Sequence, residues 1–240
     1  MIYRSNLKAP DIQPHFRHLT ARVMPHSFGH TVLSDWADKA DDDPVFGLYK
    51  NCGLWTHDEA AILYNVARRI GGTWVDIGCH TGWTTAHIAA AGVGVIAVDP
   101  MLRLAAWQER FEQNLRSSWT GVYSVRHETS RRYFSRENTP LAGACIDGDH
   151  EPGEPLFDAQ AAATRMGSNA AIIFHDALGR PVREGAQYLM NRGFKCRWYS
   201  TPHGILLCWR GDFTPPDHVS DPNLPDLKAR CPDFDFRRCV

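Results

Sequence analysis

Between residues 54 and 210 the chain alternates between short continuous apolar runs and longer segments whose apolar residues recur every three to four positions. EAAILYNVARRI (59–70) has the helical period, with Thr56 and Glu59 before it and Gly71-Gly72 after it. A threonine followed three residues later by a glutamate is the capping-box pattern that opens a helix. After it, TWVDIG (73–78), VGVIAVD (93–99), GVYSVRH (121–127), LAGACID (141–147) and AAIIFHD (170–176) read as strands. They are separated by predicted helices over WTTAHIAAA (83–91), RLAAWQERFEQNL (103–115), a short piece after Ser130, EPLFDAQAAATRM (154–166) and PVREGAQYLMNRG (181–193). KCRWYST (195–201) and GILLCWR (204–210) flank a Pro-His-Gly turn and read as an antiparallel hairpin.

Strands that are apolar throughout and alternate with helices belong to a parallel sheet covered on both faces. The pattern predicts an α/β fold, a Rossmann-like, doubly wound, seven-stranded sheet that is mostly parallel and ends in the antiparallel hairpin. In such sheets ligands bind beyond the carboxyl ends of the strands. Asp76, Asp99, His127, Asp147 and the pair His175-Asp176 end five strands and therefore line one rim.

The flanks are different. Residues 1–50 are mixed, with a DDDP run at 41–44, and read as an N-terminal extension to a domain over 51–210. His15/His18 and His26/His30 have helical spacing, but Pro14, Pro25 and Gly29 interrupt them, so they read as surface histidines. Residues 211–240 are a Pro- and Asp-rich tail without periodicity, expected to wrap the surface or move freely.

Composition narrows the classes. With 26 Lys and Arg against 27 Asp and Glu there is no basic footprint for nucleic acid. No segment is apolar enough to span a bilayer, and the start has no apolar core of signal-peptide length. Seven cysteines without CxxC spacing argue against a disulfide framework and for a reducing cytoplasm. Cys145 and Cys208 lie in apolar runs and read as buried thiols, while Cys231 and Cys239 are a pair that could form.

WVDIGCHTGWTT (74–85) runs strand, glycine-containing turn, helix. Gly78 and Gly82 allow a tight turn and close approach of backbone to a ligand. The spacing D-x-G-x-x-x-G is not the dinucleotide G-x-G-x-x-G. An acid two residues before the first glycine suits a cationic amino group, and Asp99 at the next strand end can accept from both hydroxyls of a ribose. At the fourth and fifth strand ends, CIDGDH (145–150) and FHD (174–176) can converge, since neighbouring strands lie ~5 Å apart. Asp147, His175 and Asp176 would offer two carboxylate oxygens and one imidazole nitrogen to a shared ion or a shared proton. Oxygen ligands suit Mg²⁺, and a histidine moves the preference toward Mn²⁺, Fe²⁺ or Zn²⁺.

Over residues 54–210 these features resemble the class I S-adenosylmethionine-dependent methyltransferases. The pairing of IDGDH with FHD is similar to the Methyltransferase-24 type, related to the metal-dependent O-methyltransferases of catechols, caffeoyl-CoA and macrolide sugars. The resemblance implies that the loop of Asp76, Gly78, Cys79, His80 and Gly82 surrounds the methionine moiety of S-adenosylmethionine. It implies that Asp99 holds the ribose and that Glu128, Thr129 and Ser130 lie near the adenine. Asp147, His175 and Asp176 take the positions of ligands to a divalent metal, Mg²⁺ or Mn²⁺, and His150 that of the catalytic base beside Asp147. The chain departs from the family at His80, where a glycine is usual, at His175, where an acid is usual, and at Glu151-Pro152, where Ser-Tyr is usual.

The expected activity is O-methylation of a small molecule (a diol, sugar or catechol-like compound), with no nucleic-acid or membrane partner. The alternative is a non-catalytic S-adenosylmethionine-binding partner protein of the same fold. A nicotinamide oxidoreductase is disfavoured by the missing G-x-G-x-x-G and the terminal hairpin. Asp149 is expected to cap the following helix, Trp83 to pack, and His127 to line the cleft.

Overall fold

Alternate residues of the first core strand face opposite ways, and each face is buried. On β1 (Thr73–Ile77), Trp74 packs into one apolar cluster while Val75 and Ile77 pack into a second on the other side of the sheet. The computed structural model describes residues 6–10, 17–18, 52–53, 55–118 and 122–239. Of the histidine pairs, His15, His26 and His30 lie outside these residues, as does the DDDP run, and only the backbone of His18 is described.

The remaining strands are β2 (Gly94–Val98), β3 (Tyr123–Arg126), β4 (Leu141–Ile146), β5 (Met166–Phe174), β6 (Lys195–Tyr199) and β7 (Ile205–Arg210). Their order across the sheet is β3-β2-β1-β4-β5-β7-β6. The first five run parallel, and β7 pairs antiparallel with both β5 and β6. The chain thus carries the mixed seven-stranded sheet that the sequence pattern predicts. A separate two-residue parallel pair joins Arg17–His18 to Cys52–Gly53.

Helices α1 (His57–Ile70), α2 (Trp83–Ala90), α3 (Ala105–Ser118), α4 (Ser130–Arg136), α5 (Glu154–Ala163) and α6 (Arg180–Asn191) join the strands, and α7 (Leu227–Arg230) lies in the tail. The capping box of α1 is complete: Thr56 Oγ1 accepts from Glu59 N, and Thr56 N donates to Glu59 Oε2 at 2.8 Å. Among the described residues no helix is long and apolar enough to cross a membrane.

Two boundaries differ from expectation. The helix predicted over 154–166 stops at Ala163, and Met166 already opens β5 opposite Leu141. Arg165 enforces the stop, because its guanidinium donates to the carbonyls of Phe134, Glu137 and Ala161 instead of facing solvent. The helix predicted from Arg103 begins at Ala105, since Asp99 caps a 3₁₀ turn over Pro100–Arg103.

The tail packs back on the domain. Phe234 and Phe236 lie against Trp198 at 4.9 and 5.3 Å, and Asp233 takes both oxygens to Arg183. This return brings Cys239 to Cys196 on β6, and the two form a disulfide with Cα atoms 4.6 Å apart. The expectation of no disulfide, with Cys231 as the possible mate of Cys239, is thereby corrected. Cys231 is a buried free thiol, as are Cys79, Cys145 and Cys208.

Packing leaves no spare room where Trp74 crosses β4. A Cβ placed on Gly143 would lie 2.1 Å from the Trp74 ring, which is fully buried. Gly143→Ala should therefore destabilise the fold by about 1–3 kcal/mol through overpacking. Urea unfolding measures it, and an unchanged midpoint would show that the ring can yield.

Candidate active site

The carboxyl ends of β1, β2, β4 and β5 converge on the predicted rim. Asp76 is fully buried, and its Oδ2 accepts from Thr84 Oγ1 at 2.7 Å and Thr85 Oγ1 at 2.6 Å, both in the first turn of α2. Its Oδ1 has no hydrogen-bond partner. Burial pushes the Asp76 carboxyl up to about 6, against the lowering effect of the two threonines.

The loop beyond Asp76 is set by backbone conformation. Gly78, His80 and Gly82 have φ of 81°, 48° and 92°. His80 therefore takes, as a non-glycine residue, the left-handed conformation that glycine adopts freely. Its N–H donates to Asp99 Oδ2 at 2.8 Å, and its ring meets Trp107 edge-on at 4.7 Å. Poor solvation in this crowded position lowers the His80 imidazole to about 4, so it is neutral near pH 7. Cys79 is buried, and burial together with Asp99 and Asp76 raises its thiol well above the usual range. Asp99 accepts from Met101 N on Oδ1 at 2.8 Å, and burial raises its carboxyl. Each Asp99 oxygen has one backbone partner and keeps accepting capacity for a ligand. An unpartnered carboxylate oxygen on Asp76 and a backbone-braced carboxylate on Asp99 form an acceptor set suited to S-adenosylmethionine, which has an ammonium group and a ribose diol.

After β3, His127 is half-buried and its carbonyl accepts from Arg103. Glu128 is buried and paired with Arg132 and Arg136, and Thr129 caps α4 through its side chain. Ser130 follows at the helix start and supports Asp158 of α5, which is only 2% exposed. Burial raises the Asp158 carboxyl to about 7.

At the other end of the rim, Asp147 Oδ1 lies 3.1 Å from His175 Nδ1, and Asp176 Oδ2 lies 3.4 Å from the same nitrogen. Donor atoms of Asp147, His175 and Asp176 all fall within 4.8 Å of one another. Asp176 has φ 53°, and its carbonyl is held by Gly179 N at 2.8 Å. His150 stands over the group, with Nε2 3.6 Å from Asp147 Oδ1 and Nδ1 3.8 Å from Asp176 Oδ2. Burial opposes the charge on Asp147, yet His175 and His150 hold its carboxyl well below the usual range. His175, fully buried, is raised well above the usual histidine range, because Asp147 and Asp176 outweigh the cost of burial.

The structure also brings in three residues that the sequence reading did not place here. Trp55 stacks on His175 with ring centroids 4.4 Å apart and donates from Nε1 to Asp147 Oδ2 at 2.6 Å. Glu59, fully buried, lies 3.5 Å from His175 Nε2 and accepts from His203 N and Nδ1 at 3.0 Å. Their signals were present in another guise: Glu59 as half of a capping box, Trp55 as its neighbour, and His203 as a turn residue. Asp149 does not cap α5, contrary to expectation. It accepts from Glu151 N at 2.9 Å in a local turn, while Gly153 is the N-cap of α5. Trp83 is buried among His57 and His87, in the packing role expected of it.

The group Asp147, His175 and Asp176 fits a divalent cation. Trp55 engages one oxygen of Asp147 and leaves the other facing the His175 ring, and two carboxylates with one imidazole are a donor set for Mg²⁺ or Mn²⁺.

Comparison with known proteins places the fold. A methyltransferase from Geobacter sulfurreducens superposes with a TM-score of 0.54 at 19% identity, covering 74% of this chain and 94% of that one. An O-methyltransferase from Bacillus cereus in complex with S-adenosylhomocysteine gives 0.53 at 13% identity, covering 66% and 83%. An O-methyltransferase from Streptomyces achromogenes, involved in tomaymycin synthesis and bound to S-adenosylmethionine, gives 0.54 at 14% identity, covering 73% and 86%. No curated protein matches the chain in sequence. The architecture is that of the class I S-adenosylmethionine-dependent methyltransferases. Residues 75–177, from Asp76 to Asp176 and the residues flanking them, match the family model of the Methyltransferase-24 type, described as a methyltransferase domain. Residues 75–177 accordingly carry a methyltransferase domain, on a fold shared with S-adenosylmethionine-dependent enzymes.

Asp158 supplies a test of the electrostatics. Its folded pKa of about 7 exceeds the value of about 3.9 expected in the unfolded chain. Between these values the folded state holds a proton that the unfolded state has released, so stability falls as pH rises through the window. Asp158→Asn should remove that slope, about 1.4 kcal/mol per pH unit at most, and lose less stability than the wild type between pH 4 and 7. Parallel slopes in urea titrations of the two proteins would contradict the assignment.

Proposed function

We propose that this methyltransferase acts on a hydroxyl oxygen of a small molecule carrying two neighbouring oxygens, such as a vicinal diol, a sugar or a catechol-like ring. The reading rests on one observation: Asp147, His175 and Asp176 present their donor atoms together at the rim, with His150 beside them. In this reading Asp147, His175 and Asp176 hold a divalent metal, Mg²⁺ or Mn²⁺. The solved O-methyltransferases of the same fold support transfer to oxygen.

S-adenosylmethionine, when bound, supplies a methyl group already activated on a sulfonium. The protein must therefore orient the acceptor and make its oxygen nucleophilic. Asp99 would take the ribose hydroxyls, with the loop of Gly78, Cys79, His80 and Gly82 and the acid Asp76 around the methionine end. Glu128, Thr129 and Ser130 would border the adenine; since Glu128 is paired with arginines, its part is to shape that wall. Fixing both partners for in-line attack contributes several kcal/mol by itself. The divalent ion, when bound, supplies Lewis-acid polarisation that lowers the pKa of a coordinated hydroxyl. His150, with side-chain exposure of 36%, is the group able to reach a substrate proton, and Asp147 and Asp176 stabilise the imidazolium that results.

The test is methyl transfer from labelled S-adenosylmethionine to a panel of diols, sugars and catechols, with and without EDTA. Activity should disappear in the chelator and return with Mg²⁺ or Mn²⁺. His150→Ala should lower kcat by about 10²–10⁴-fold while leaving the bound metal in place. Full turnover in EDTA would remove the metal from the reaction, and an unchanged kcat in His150→Ala would remove the base.

A further inference from the structure

The metal reading leaves unexplained why α1 places a fully buried carboxylate behind His175. Glu59 sits 3.5 Å from His175 Nε2, on the side of the ring opposite Asp147 and Asp176, which face Nδ1. A neutral imidazole carries one N–H and one lone pair, and the hydrogen bond at one nitrogen decides which role the other plays. With a cation in place of the Nδ1 proton, a carboxylate at Nε2 would keep the N–H there and leave the Nδ1 lone pair for the ion beside Asp147 and Asp176. Glu59 is itself fixed by three donors, Thr56 N at 2.8 Å, His203 N at 3.0 Å and His203 Nδ1 at 3.0 Å. Trp55, from the same turn, holds the face of the ring at 4.4 Å and the far oxygen of Asp147 at 2.6 Å.

We propose that Glu59 is a positioning residue for the divalent-cation site, orienting His175 through Nε2–H so that Nδ1 joins Asp147 and Asp176 as the third ligand. The inference builds on the metal reading of the proposed function. A separate ion caged by Glu59, His175 and His203 is the rival arrangement, since their donor atoms also lie within 4.8 Å of one another. The oxygens of Glu59 already accept from Thr56 and His203 and keep room for one more N–H, which favours the positioning role.

The capping role of Glu59 can be separated from this one, because glutamine also completes a capping box. Glu59→Gln keeps an acceptor for Thr56 N and removes the charge that faces the two histidines. Mn²⁺ titration of the full chain by calorimetry should show affinity falling about 10–100-fold in E59Q, with the far-ultraviolet circular dichroism unchanged. In ¹⁵N-histidine spectra of the Mg²⁺-loaded protein, the Nε2–H signal of His175 should shift between wild type and E59Q. If E59Q does not fold, Glu59→Asp, which keeps the charge but withdraws it from the ring, should show the same loss of affinity. Wild-type affinity and an unmoved Nε2–H signal in a folded variant would overturn the positioning role and leave the metal reading intact. A wild-type protein that binds no Mn²⁺ would overturn both.

Discussion

The site is held together by a place where two backbones touch without a side chain between them. Gly78, at the end of β1, lies so close to the start of the β4–α5 loop that a Cβ would meet the Asp147 carbonyl oxygen at 2.0 Å. The same loop is tied to β1 by a hydrogen bond from Asp147 N to Ile77 O at 3.0 Å. The glycine loop after β1 and the strand end that bears Asp147 are therefore one rigid unit. In the proposed reading, a methyl donor over Gly78 and an acceptor at Asp147 would take their spacing from this contact. Orientation of that kind must be built in, because it cannot be recovered by a flexible loop without losing entropy.

Around that contact the protein concentrates charge where solvent is scarce. Glu59, Asp76, Asp99 and His175 are all buried, and none is tolerable alone. Asp76 accepts from two hydroxyls on one oxygen and Asp99 from two backbone amides, and burial still raises both. Glu59, Asp147 and Asp176 instead alternate with His175, His203 and His150, and there attraction outweighs burial, so the acids fall and the histidines rise. The rim thus has two electrical characters. The half near Asp99 suits neutral hydroxyls, and the half near His175 suits a cation or a transferred proton.

Much of this was legible in the chain because the strands are short, apolar and end on polar residues. IDGDH and FHD could be brought together from strand alternation alone, and the structure does place Asp147 3.1 Å from His175. The glycine loop was legible as a turn, although nothing in a sequence says that His80 will accept a φ of 48°. Glu59, His203 and Trp55 were not legible as parts of the site. Each has a sufficient local explanation, and their meeting depends on how α1 and the hairpin turn lie across the sheet. The disulfide between Cys196 and Cys239 was hidden for a similar reason, since it follows from aromatic packing of an aperiodic tail on Trp198. The end of α5 was missed because a long apolar-periodic run gives no sign that Arg165 will turn inward.

The pairing of α1 with distant histidines also bears on how the chain can mature. Asp58 and Glu59 are adjacent and buried, and their partners His218 and His203 lie 160 and 144 residues further on. On a ribosome α1 emerges long before either histidine is made. Burying a carboxylate without its partner is costly, so α1 gains its full pairing only after the hairpin turn and the tail are made. Pairing of α1 is therefore completed late in synthesis, and a chain ending before residue 203 would lack both histidine partners of Asp58 and Glu59.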